Sequence, residues 1–442
     1  MAGRREVAPS KKKRYVLDVT KVSEQAFLTG VQAVVRGFQL QNTNALTLIR
    51  YDSVGRVFRL VGEVPGLTWV PAARKTGLLS EFFLSMLPSS SLAKIAKTLF
   101  ALLPNTMRQE VRNFGQQYVA RYILDTDPFW DAGPIYVPNP EDSLLLLDIP
   151  QDLRHIDALS RLKRLAGVEM TIYLHDLIPI FEQEAYDHRP LRERAGSFLD
   201  YLDLVFISEF VICNSLYTKT SWERWCDLKQ LDFRGRTEVL YLPVPQKAPE
   251  SSVHATRKLL AGASFDGLRI LGVGAIDARK NFQIILRAIP LMAARGLNFE
   301  FKIVGGSGLK VDPLFLQVFG ALKLSERRRI VIKQSVSVEE LAELYNQADV
   351  VVVPSLAEGY GLPVIESVIA GATALVSNST ALGELANLLG LEALSPDSEQ
   401  KWADALCAAE RRGVGSPVKL PQVIPANWQD FSQRFFAIVE RK

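Results

Sequence analysis

The stretch DVVVVPSLAEGYGLPVIESVIAG, residues 349–371, reads as a buried strand, a glycine-rich turn and a helix. Four consecutive valines suit a strand that is covered on both faces. Pro363 suits the start of a helix, because the N–H that it lacks would be unpaired there anyway. Gly359 and Gly361 let a ligand approach the backbone of the turn closely. The order strand, turn, helix is the repeating unit of parallel α/β sheets, so the stretch predicts such a sheet.

Two carboxylates accompany this turn, Glu358 within it and Glu366 on the helix. Helical spacing buries Val364, Ile365 and Val368 on one face and predicts that Glu366 points from the first turn toward a ligand crevice. Exposed amides at a helix start bind anions or hydroxyl groups. A simpler alternative stays open, in which Glu366 complements the helix dipole and Glu358 is solvated.

The alternation continues through the second half of the chain, which predicts a doubly wound sheet. The predicted strands are 268–274, 299–304, 329–334, 349–354 and 373–377. The predicted helices are 281–295, 313–323, 337–347 and 363–370.

The first half repeats the pattern less regularly. Its predicted strands are 14–19, 46–51, 134–137, 143–148, 169–175, 209–213 and 237–242. Between the halves, the proline-rich segment LPVPQKAPESSVH favours extended chain and predicts a hinge at 243–254. Two such sheets joined by a hinge place a ligand crevice between their carboxyl ends.

A length of 442 residues exceeds what one hydrophobic core of about 250 to 300 residues usually supports. The predicted division is a basic tail (1–13), a first Rossmann-like domain (14–245), a second (255–425) and a C-terminal helix (426–442) that packs back toward the first domain. Residues 75–123 are helical in pattern, either packed on the first domain or resting on a membrane as a basic amphipathic surface.

Composition excludes several classes of protein. Lys and Arg number 52 against 48 Asp and Glu, a net charge of +4 that is too small to indicate nucleic-acid binding. The basic start lacks the apolar stretch of a signal peptide, and no run of about 18 apolar residues follows, which predicts a cytoplasmic protein. Three scattered cysteines and four histidines without paired spacing predict neither disulfides nor a metal site.

The segment EGYGLPVIESVIAG (358–371) resembles the glutamate, seven residues, glutamate motif of the retaining glycosyltransferases of family 4, or group 1. That family has the GT-B fold, two doubly wound Rossmann-like domains facing each other across a cleft. The resemblance implies that Glu366 holds the ribose hydroxyls of a nucleotide and that Glu358 lies near the transferred sugar.

A second segment, GVGAIDARKN (272–281), resembles the phosphate-binding segment of the mannosyltransferase-like subset and implies that Arg279 and Lys280 meet a diphosphate. This chain departs from its relatives at Ala275, where many carry arginine, and at Ala33, in an opening loop that contains Gly30. Solvated charge at a helix start is the plainer alternative for Arg279 and Lys280.

Three weaker resemblances concern the turn TIYLHDLIPIF with His175, the helix start VICNSLYTKTSW with Ser215, and SNSTALGELA, which retains Glu384. Without the other motifs, His175 reads as a satisfied polar group at a strand end, and Ser215 as a helix N-cap.

The resemblance implies a metal-independent transfer of mannose or a related hexose from GDP-mannose or another nucleotide sugar to a saccharide or lipid-linked acceptor. It places this transfer in cell-surface polysaccharide synthesis, on the inner face of the cytoplasmic membrane. The implied catalytic residues are Glu358 and His175, and the implied nucleotide-sugar ligands are Arg279, Lys280, Glu366, Gly359, Tyr360, Gly361, Leu362, Gly30 and Ser215. The alternatives are a degenerate relative that binds nucleotide or a partner enzyme without transfer and, less favoured, an epimerase of the same fold.

Overall fold

The computed structural model describes residues 13–21, 30–52, 56–61, 134–150, 152–182, 191–244, 265–305, 311–334, 336–412 and 420–441. Residues 1–12, the predicted helical segment 75–123 and most of the predicted hinge lie outside them. By contacts the chain divides into a larger unit (Met1–Leu17, Thr29–Leu46 and Pro138–Lys442) and a smaller one (Asp18–Leu28 and Thr47–Val137). The predicted domain bounds stay predictions.

The described strands are β1 (Arg14–Asp18), β2 (Leu46–Asp52), β3 (Val57–Val61), β4 (Asp142–Leu146), β5 (Glu169–Leu174), β6 (Phe210–Cys213), β7 (Arg236–Val239), β8 (Leu268–Val273), β9 (Phe299–Val304), β10 (Ile330–Lys333), β11 (Val350–Val353), β12 (Thr373–Ser377) and β13 (Ala393–Leu394). The described α-helices are α1 (Gly30–Gln41), α2 (Leu153–Ala166), α3 (Ile178–Phe181), α4 (Leu191–Phe206), α5 (Leu216–Lys229), α6 (Phe282–Ala294), α7 (Pro313–Ala321), α8 (Leu324–Arg327), α9 (Val338–Gln347), α10 (Leu362–Ile369), α11 (Thr380–Leu389), α12 (Glu399–Arg412) and α13 (Trp428–Val439).

In the larger unit, β1, β4, β5, β6 and β7 pair in that order, each in parallel with its neighbour. The continuous apolar run of β4 is buried on both faces, with Leu144 and Leu145 fully inaccessible. Because the strands are parallel, their carboxyl ends lie along one edge. His175 directly follows β5 and Ser215 follows β6 at that edge.

The second sheet is wholly parallel in the order β10-β9-β8-β11-β12-β13. The chain moves outward in one direction from β8 and in the other from β11, so the strand order reverses between these two neighbours. Open α/β sheets bind ligands outside the carboxyl ends at such a point. The predicted α/β class with two Rossmann-like sheets is confirmed.

The start of α10 differs from prediction. Gly361, at φ +109°, is the N-cap, and the helix begins at Leu362. Glu366 is therefore the fifth helical residue, and the prediction that it points from the first turn is wrong. Its carboxylate lies beyond the amides that complement a negative charge, so the dipole alternative does not explain it.

In the smaller unit, β2 and β3 form an antiparallel pair in which the rings of Tyr51 and Phe58 lie 5.4 Å apart. Strand β3 was not predicted. The prediction of a strand at 134–137 is wrong, because the structure has only a single β-bridge there, between Ile135 and Arg59. Alternation over four residues is too short to distinguish a strand from an extended segment.

The C-terminal helix α13 begins at its N-cap Asn427, whose side chain accepts a hydrogen bond from the amide of Asp430. Its aromatic face contacts α1, because Phe38 packs against both Phe431 and Phe435 with ring centroids 6.3 and 4.9 Å apart. Phe431 also contacts Tyr173 of β5 at 5.7 Å. The chain end is thus packed on the first parallel sheet.

Candidate active site

Glu358 lies at the centre of a buried ion cluster in the turn that follows β11. Nη1 of Arg279 donates to Oε2 at 3.0 Å, and Nζ of Lys280 donates to Oε1. The hydroxyl of Ser355 also donates to Oε1, at 2.9 Å. Glu358 is 8% exposed, so it is not the solvated residue of the simpler alternative. The sequence pattern did not predict this cluster, because Arg279 and Lys280 lie almost 80 positions before Glu358 in the chain.

The charges of the cluster stabilise one another. Burial alone would raise the pKa of the Glu358 carboxyl, but the charges of Lys280 and Arg279 outweigh burial and hold the pKa below its usual value. The carboxylate therefore stays ionised and balances two cations in a low-dielectric setting.

A short 3-10 turn, Ala278–Lys280, carries both cations. Asp277 caps the turn by accepting a hydrogen bond from the amide of Lys280 at 3.0 Å. The amide of Leu356 donates to the carbonyl of Arg279 at 2.8 Å, which joins this turn to the loop after β11. The cations thus lie just before α6, at the point where the strand order of the second sheet reverses.

Gly359 lies at the contact between the carboxyl edges of the two sheets. A Cβ at this position would lie 2.3 Å from the carbonyl oxygen of His175 and 2.8 Å from Cβ of Asp176. The hydroxyl of Ser215 donates to the Gly359 carbonyl at 2.8 Å. The glycine is therefore required for the close approach of two backbones.

His175 is 4% exposed and bonded through Nε2 to the carbonyl of Leu147 at 2.8 Å. A carbonyl only accepts, so Nε2 carries the proton, and Nδ1 of the neutral ring is the acceptor. Burial lowers the pKa of His175 to about 4, although the bond to Leu147 opposes the shift. Burial raises the pKa of the adjacent Asp176, which also senses the charges of Arg279 and Glu358.

Acid is expected to destabilise the fold through His175. Between its ordinary pKa of 6.5 and its folded pKa of about 4, the unfolded chain binds a proton that the folded chain does not. Stability is therefore lost as the pH falls through this window, by about 3 kcal/mol at its lower end. Urea unfolding at pH 7.5 and 4.5 should show a smaller loss for His175→Asn than for the unmodified chain. Equal losses of stability in the two proteins would contradict a buried, neutral imidazole at His175.

Ser215 caps α5, as the plainer alternative stated, because its Oγ accepts from the amide of Thr218 at 3.1 Å. Glu384 on α11 accepts from the amides of Leu216 and Tyr217, each at 2.8 Å, and from the hydroxyl of Tyr241 at 2.7 Å. A carboxylate at a helix N-terminus satisfies free amides and complements the dipole. This contact fixes the first sheet against the second. The sequence resemblance indicated that Glu384 is kept in its motif, but not which groups it binds.

Glu366 on α10 accepts a hydrogen bond from the hydroxyl of Tyr345 on α9 at 2.6 Å. Within the described part of the chain, no hydrogen bond or ion pair joins Glu366 to the ion cluster around Glu358. The structure thus brings Arg279, Lys280 and Glu358 together and gives Glu366 a different partner.

The remaining predicted binding residues occupy several settings. Tyr360 is 4% exposed and donates its hydroxyl to the carbonyl of Leu242 at 3.0 Å. Gly361 and Leu362 are the N-cap and first residue of α10. Gly30 is the first residue of α1, and the loop before it lies outside the described residues. Their roles toward a nucleotide sugar stay predictions.

Residues 267–410 match the family Glycosyl transferases group 1. The match covers the second parallel sheet from β8 through most of α12. It therefore includes Arg279, Lys280, Glu358 and Glu366.

Three curated relatives match parts of the chain. A glycosyltransferase of Methanocaldococcus jannaschii is 31% identical over 28% of this chain and 30% of its own length. The serotype-specific mannosyltransferase WbdA of Escherichia coli is 34% identical over 26% and 14%. The D-inositol 3-phosphate glycosyltransferase of Nocardia farcinica is 33% identical over 31% of each. The chain thus spans at most 31% of the length of these relatives.

Solved structures resemble the fold over almost the whole chain. The N-terminal domain of Candida albicans trehalose-6-phosphate phosphatase gives a TM-score of 0.59 at 11% identity, covering 99% of this chain and 98% of that one. Sucrose-phosphate synthase from Thermosynechococcus elongatus gives 0.55 at 15%, covering 96% and 94%. Anabaena HepE, in complex with UDP and glucose, gives 0.55 at 13%, covering 98% and 100%. At these identities the likeness concerns the fold alone.

Two findings bear on the remaining classes of site. No helix among the described residues has both the length and the apolar character to cross a bilayer. The same residues contain no cluster of three or more His, Cys, Asp or Glu side chains arranged to hold a metal ion.

Proposed function

We propose that the chain is a retaining glycosyltransferase that moves mannose or a related hexose from a nucleotide diphosphate sugar to a saccharide or lipid-linked acceptor. The proposed setting is cell-surface polysaccharide synthesis, at the cytoplasmic face of a membrane. The family match over 267–410 and the relatives that are mannosyltransferases and inositol phosphate glycosyltransferases support this class of reaction.

The observation that carries the proposal is the ion cluster at the point where the strand order reverses. Arg279 and Lys280 direct two cationic groups to one small space, and Glu358 balances them there. A diphosphate offers the same cations several acceptor oxygens with more than one negative charge. It would therefore compete with Glu358 for both side chains.

These cations suit the step that transfer requires. The bond between the anomeric carbon and the diphosphate oxygen breaks, and its electron pair leaves with the nucleoside diphosphate. Arg279 and Lys280 stabilise that developing charge without a metal ion. The acceptor oxygen bonds to the anomeric carbon, and its proton passes to an oxygen of the leaving diphosphate.

Two carboxylates and one imidazole have separate roles in this proposal. Glu358, once it shares the cations with the diphosphate, provides negative charge near the sugar, which develops positive character as the bond breaks. His175 is neutral, so its Nδ1 accepts a hydrogen bond from a sugar hydroxyl. Glu366 accepts hydrogen bonds from the ribose hydroxyls.

Binding without transfer is the second class of function. Ala33 and Ala275 stand where the resemblance to the family implies basic residues, and both oxygens of Glu358 already have partners. A chain that kept nucleotide affinity and lost turnover would fit these features. The test must therefore separate binding from release of nucleoside diphosphate.

The test uses the full chain with GDP-, UDP- and dTDP-sugars. Thermal shift identifies the donors that bind, and release of nucleoside diphosphate with a saccharide acceptor measures transfer. We expect at least one donor both to raise the melting temperature and to be turned over. Binding without release would favour the second class, and no binding of any donor would refute the proposal.

Glu366→Ala is expected to weaken nucleotide binding by about 10- to 100-fold, because hydrogen bonds to a charged acceptor are lost. Calorimetry with the preferred nucleoside diphosphate measures this change. Glu392→Ala, which alters an exposed glutamate of the same sheet region, is the matched control and should bind normally. Unchanged affinity in Glu366→Ala would remove the proposed role of that residue.

A further inference from the structure

Tyr345 holds one oxygen of Glu366 in place. Its hydroxyl donates to Oε2 at 2.6 Å, a short bond of the kind that a charged acceptor makes. Tyr345 comes from α9 and is 4% exposed, so its ring is fixed by packing. The bond thus ties the middle of α10 to a neighbouring helix.

The other oxygen of Glu366 is in a different position. Among the described residues, no hydrogen bond reaches Oε1 of Glu366. By contrast, both oxygens of Glu358 accept bonds from protein groups. Glu366 therefore combines one anchored oxygen with one that can accept from a ligand.

The hydroxyl of Tyr345 is suited to hold the Glu366 carboxylate in one orientation. Burial, followed by the charge of Glu366, raises the pKa of Tyr345 well above its usual value, so the phenol keeps its proton. Burial raises the pKa of Glu366, and the bond from Tyr345 acts against that rise. The tyrosine thus favours the charged, accepting form of the carboxylate.

We propose that Tyr345 is a positioning residue that aims the carboxylate of Glu366 at the vicinal hydroxyls of a ribose, so that the site selects ribonucleotide donors over 2′-deoxyribonucleotide donors. The inference rests on the proposed function, since it assumes that Glu366 meets the nucleotide. It extends that function by naming the residue that orients Glu366 and thereby sets how strongly the site distinguishes ribose from 2′-deoxyribose.

A ribose carries a 2′-hydroxyl that a deoxyribose lacks. The Glu366 carboxylate accepts a hydrogen bond from that hydroxyl only if its free oxygen points at it. A carboxylate without the tyrosine can rotate, so it bonds the hydroxyl in fewer of its orientations. Loss of the phenol hydroxyl should therefore lower affinity for ribonucleotides and leave affinity for 2′-deoxyribonucleotides almost unchanged.

The experiment measures dissociation constants of GDP, 2′-dGDP, UDP and 2′-dUDP for the full-length chain by calorimetry. For the base that binds, the unmodified chain should prefer the ribonucleotide by about 10-fold or more. In Tyr345→Phe that preference should fall to about threefold or less, through weaker ribonucleotide binding. The phenylalanine keeps the buried ring, and the melting temperature reports whether the fold is retained.

Tyr15→Phe is the matched control. Tyr15 also donates its hydroxyl to a glutamate, Glu440, at 3.0 Å, but from β1 to the region beyond α13. Its removal deletes a bond of the same type and should leave the ribose preference unchanged.

Other outcomes overturn the inference in distinguishable ways. If Tyr345→Phe weakens the binding of the ribonucleotide and of the 2′-deoxyribonucleotide equally, or weakens neither, the tyrosine has only a structural role. If Glu366→Ala abolishes the preference and Tyr345→Phe does not, the proposed function survives and the positioning role is lost. If no nucleotide binds the unmodified chain, the proposed function itself fails and the inference fails with it.

Discussion

Replacing Glu358 with alanine is expected to lower the free energy of unfolding by about 3 to 5 kcal/mol and to slow sugar transfer by about 100-fold or more. The carboxylate is 8% exposed and balances both Arg279 and Lys280. Its removal leaves two cations close together without a counter-charge and takes negative charge away from the reacting sugar. Urea unfolding and product formation measure the two effects.

Donor affinity should respond differently. Since Glu358 competes with a diphosphate for the same cations, Glu358→Ala should bind the nucleoside diphosphate at least as tightly as the unmodified chain does. The bound diphosphate replaces the missing negative charge, so it should raise the melting temperature of the variant by more than that of the unmodified chain. Normal transfer by the variant would refute the role of Glu358, and a large loss of affinity would show that the two groups do not compete.

The control is an ion pair of the same charges in a more exposed place. Glu300 on β9 pairs with Lys302 at 2.6 Å, and their side chains are 32% and 28% exposed. Because solvent screens such pairs, Glu300→Ala should cost about 1 kcal/mol or less. A comparable loss of unfolding free energy in Glu300→Ala and Glu358→Ala would mean that burial does not strengthen the ion pairs of Glu358.

Replacing Gly359 with alanine is expected to abolish transfer and to destabilise the fold by about 1 to 3 kcal/mol. The added Cβ would lie 2.3 Å from the carbonyl oxygen of His175, which is backbone and cannot rotate away. Either the loop after β11 or the end of β5 must move, and the bond from Ser215 to the Gly359 carbonyl lengthens. The variant is tested by urea unfolding and by nucleoside diphosphate release.

Gly320→Ala is the matched glycine substitution. Gly320 lies in α7, and a Cβ there meets nothing within 4 Å. Alanine should stabilise a helix at this position by up to about 1 kcal/mol. If Gly359→Ala kept normal stability and transfer, the close approach of the two sheet edges would not exist in the working protein.

The five strands and four helices predicted between 268 and 377 lie within one or two residues of the described elements, whereas α8, α11, α12 and β13 were not predicted. The valine run of β11 and the predicted strand at 299–304, β9, carry a local signal, since a strand covered on both faces is apolar at every position. Helix α9, predicted at 337–347, begins at Val338 after its N-cap Ser337, whose side chain accepts from the amide of Glu340 at 3.1 Å. Caps and apolar runs act over a few residues and can be read without the fold.

The partners of the site residues could not be predicted in the same way. Tyr345 lies 21 positions before Glu366, on another helix, and nothing in its neighbours distinguishes it from a core tyrosine. Glu384 meets the amides of Leu216 and Tyr217 from more than 160 positions away. Such contacts depend on how two sheets pack, which no local pattern records.

The sequence by itself determined the alternation of strands and helices. It also determined that one carboxylate and two cations lie in turns after strands of one sheet, and that a second carboxylate lies on the helix that follows. Only the tertiary structure decided that Glu358 binds the cations, that His175 is buried and neutral, and that Tyr345 holds Glu366. The physical reason is that element type follows from periodicity over about ten residues. Charge state and hydrogen-bond partner follow instead from burial, which is set by neighbours that are distant in the chain.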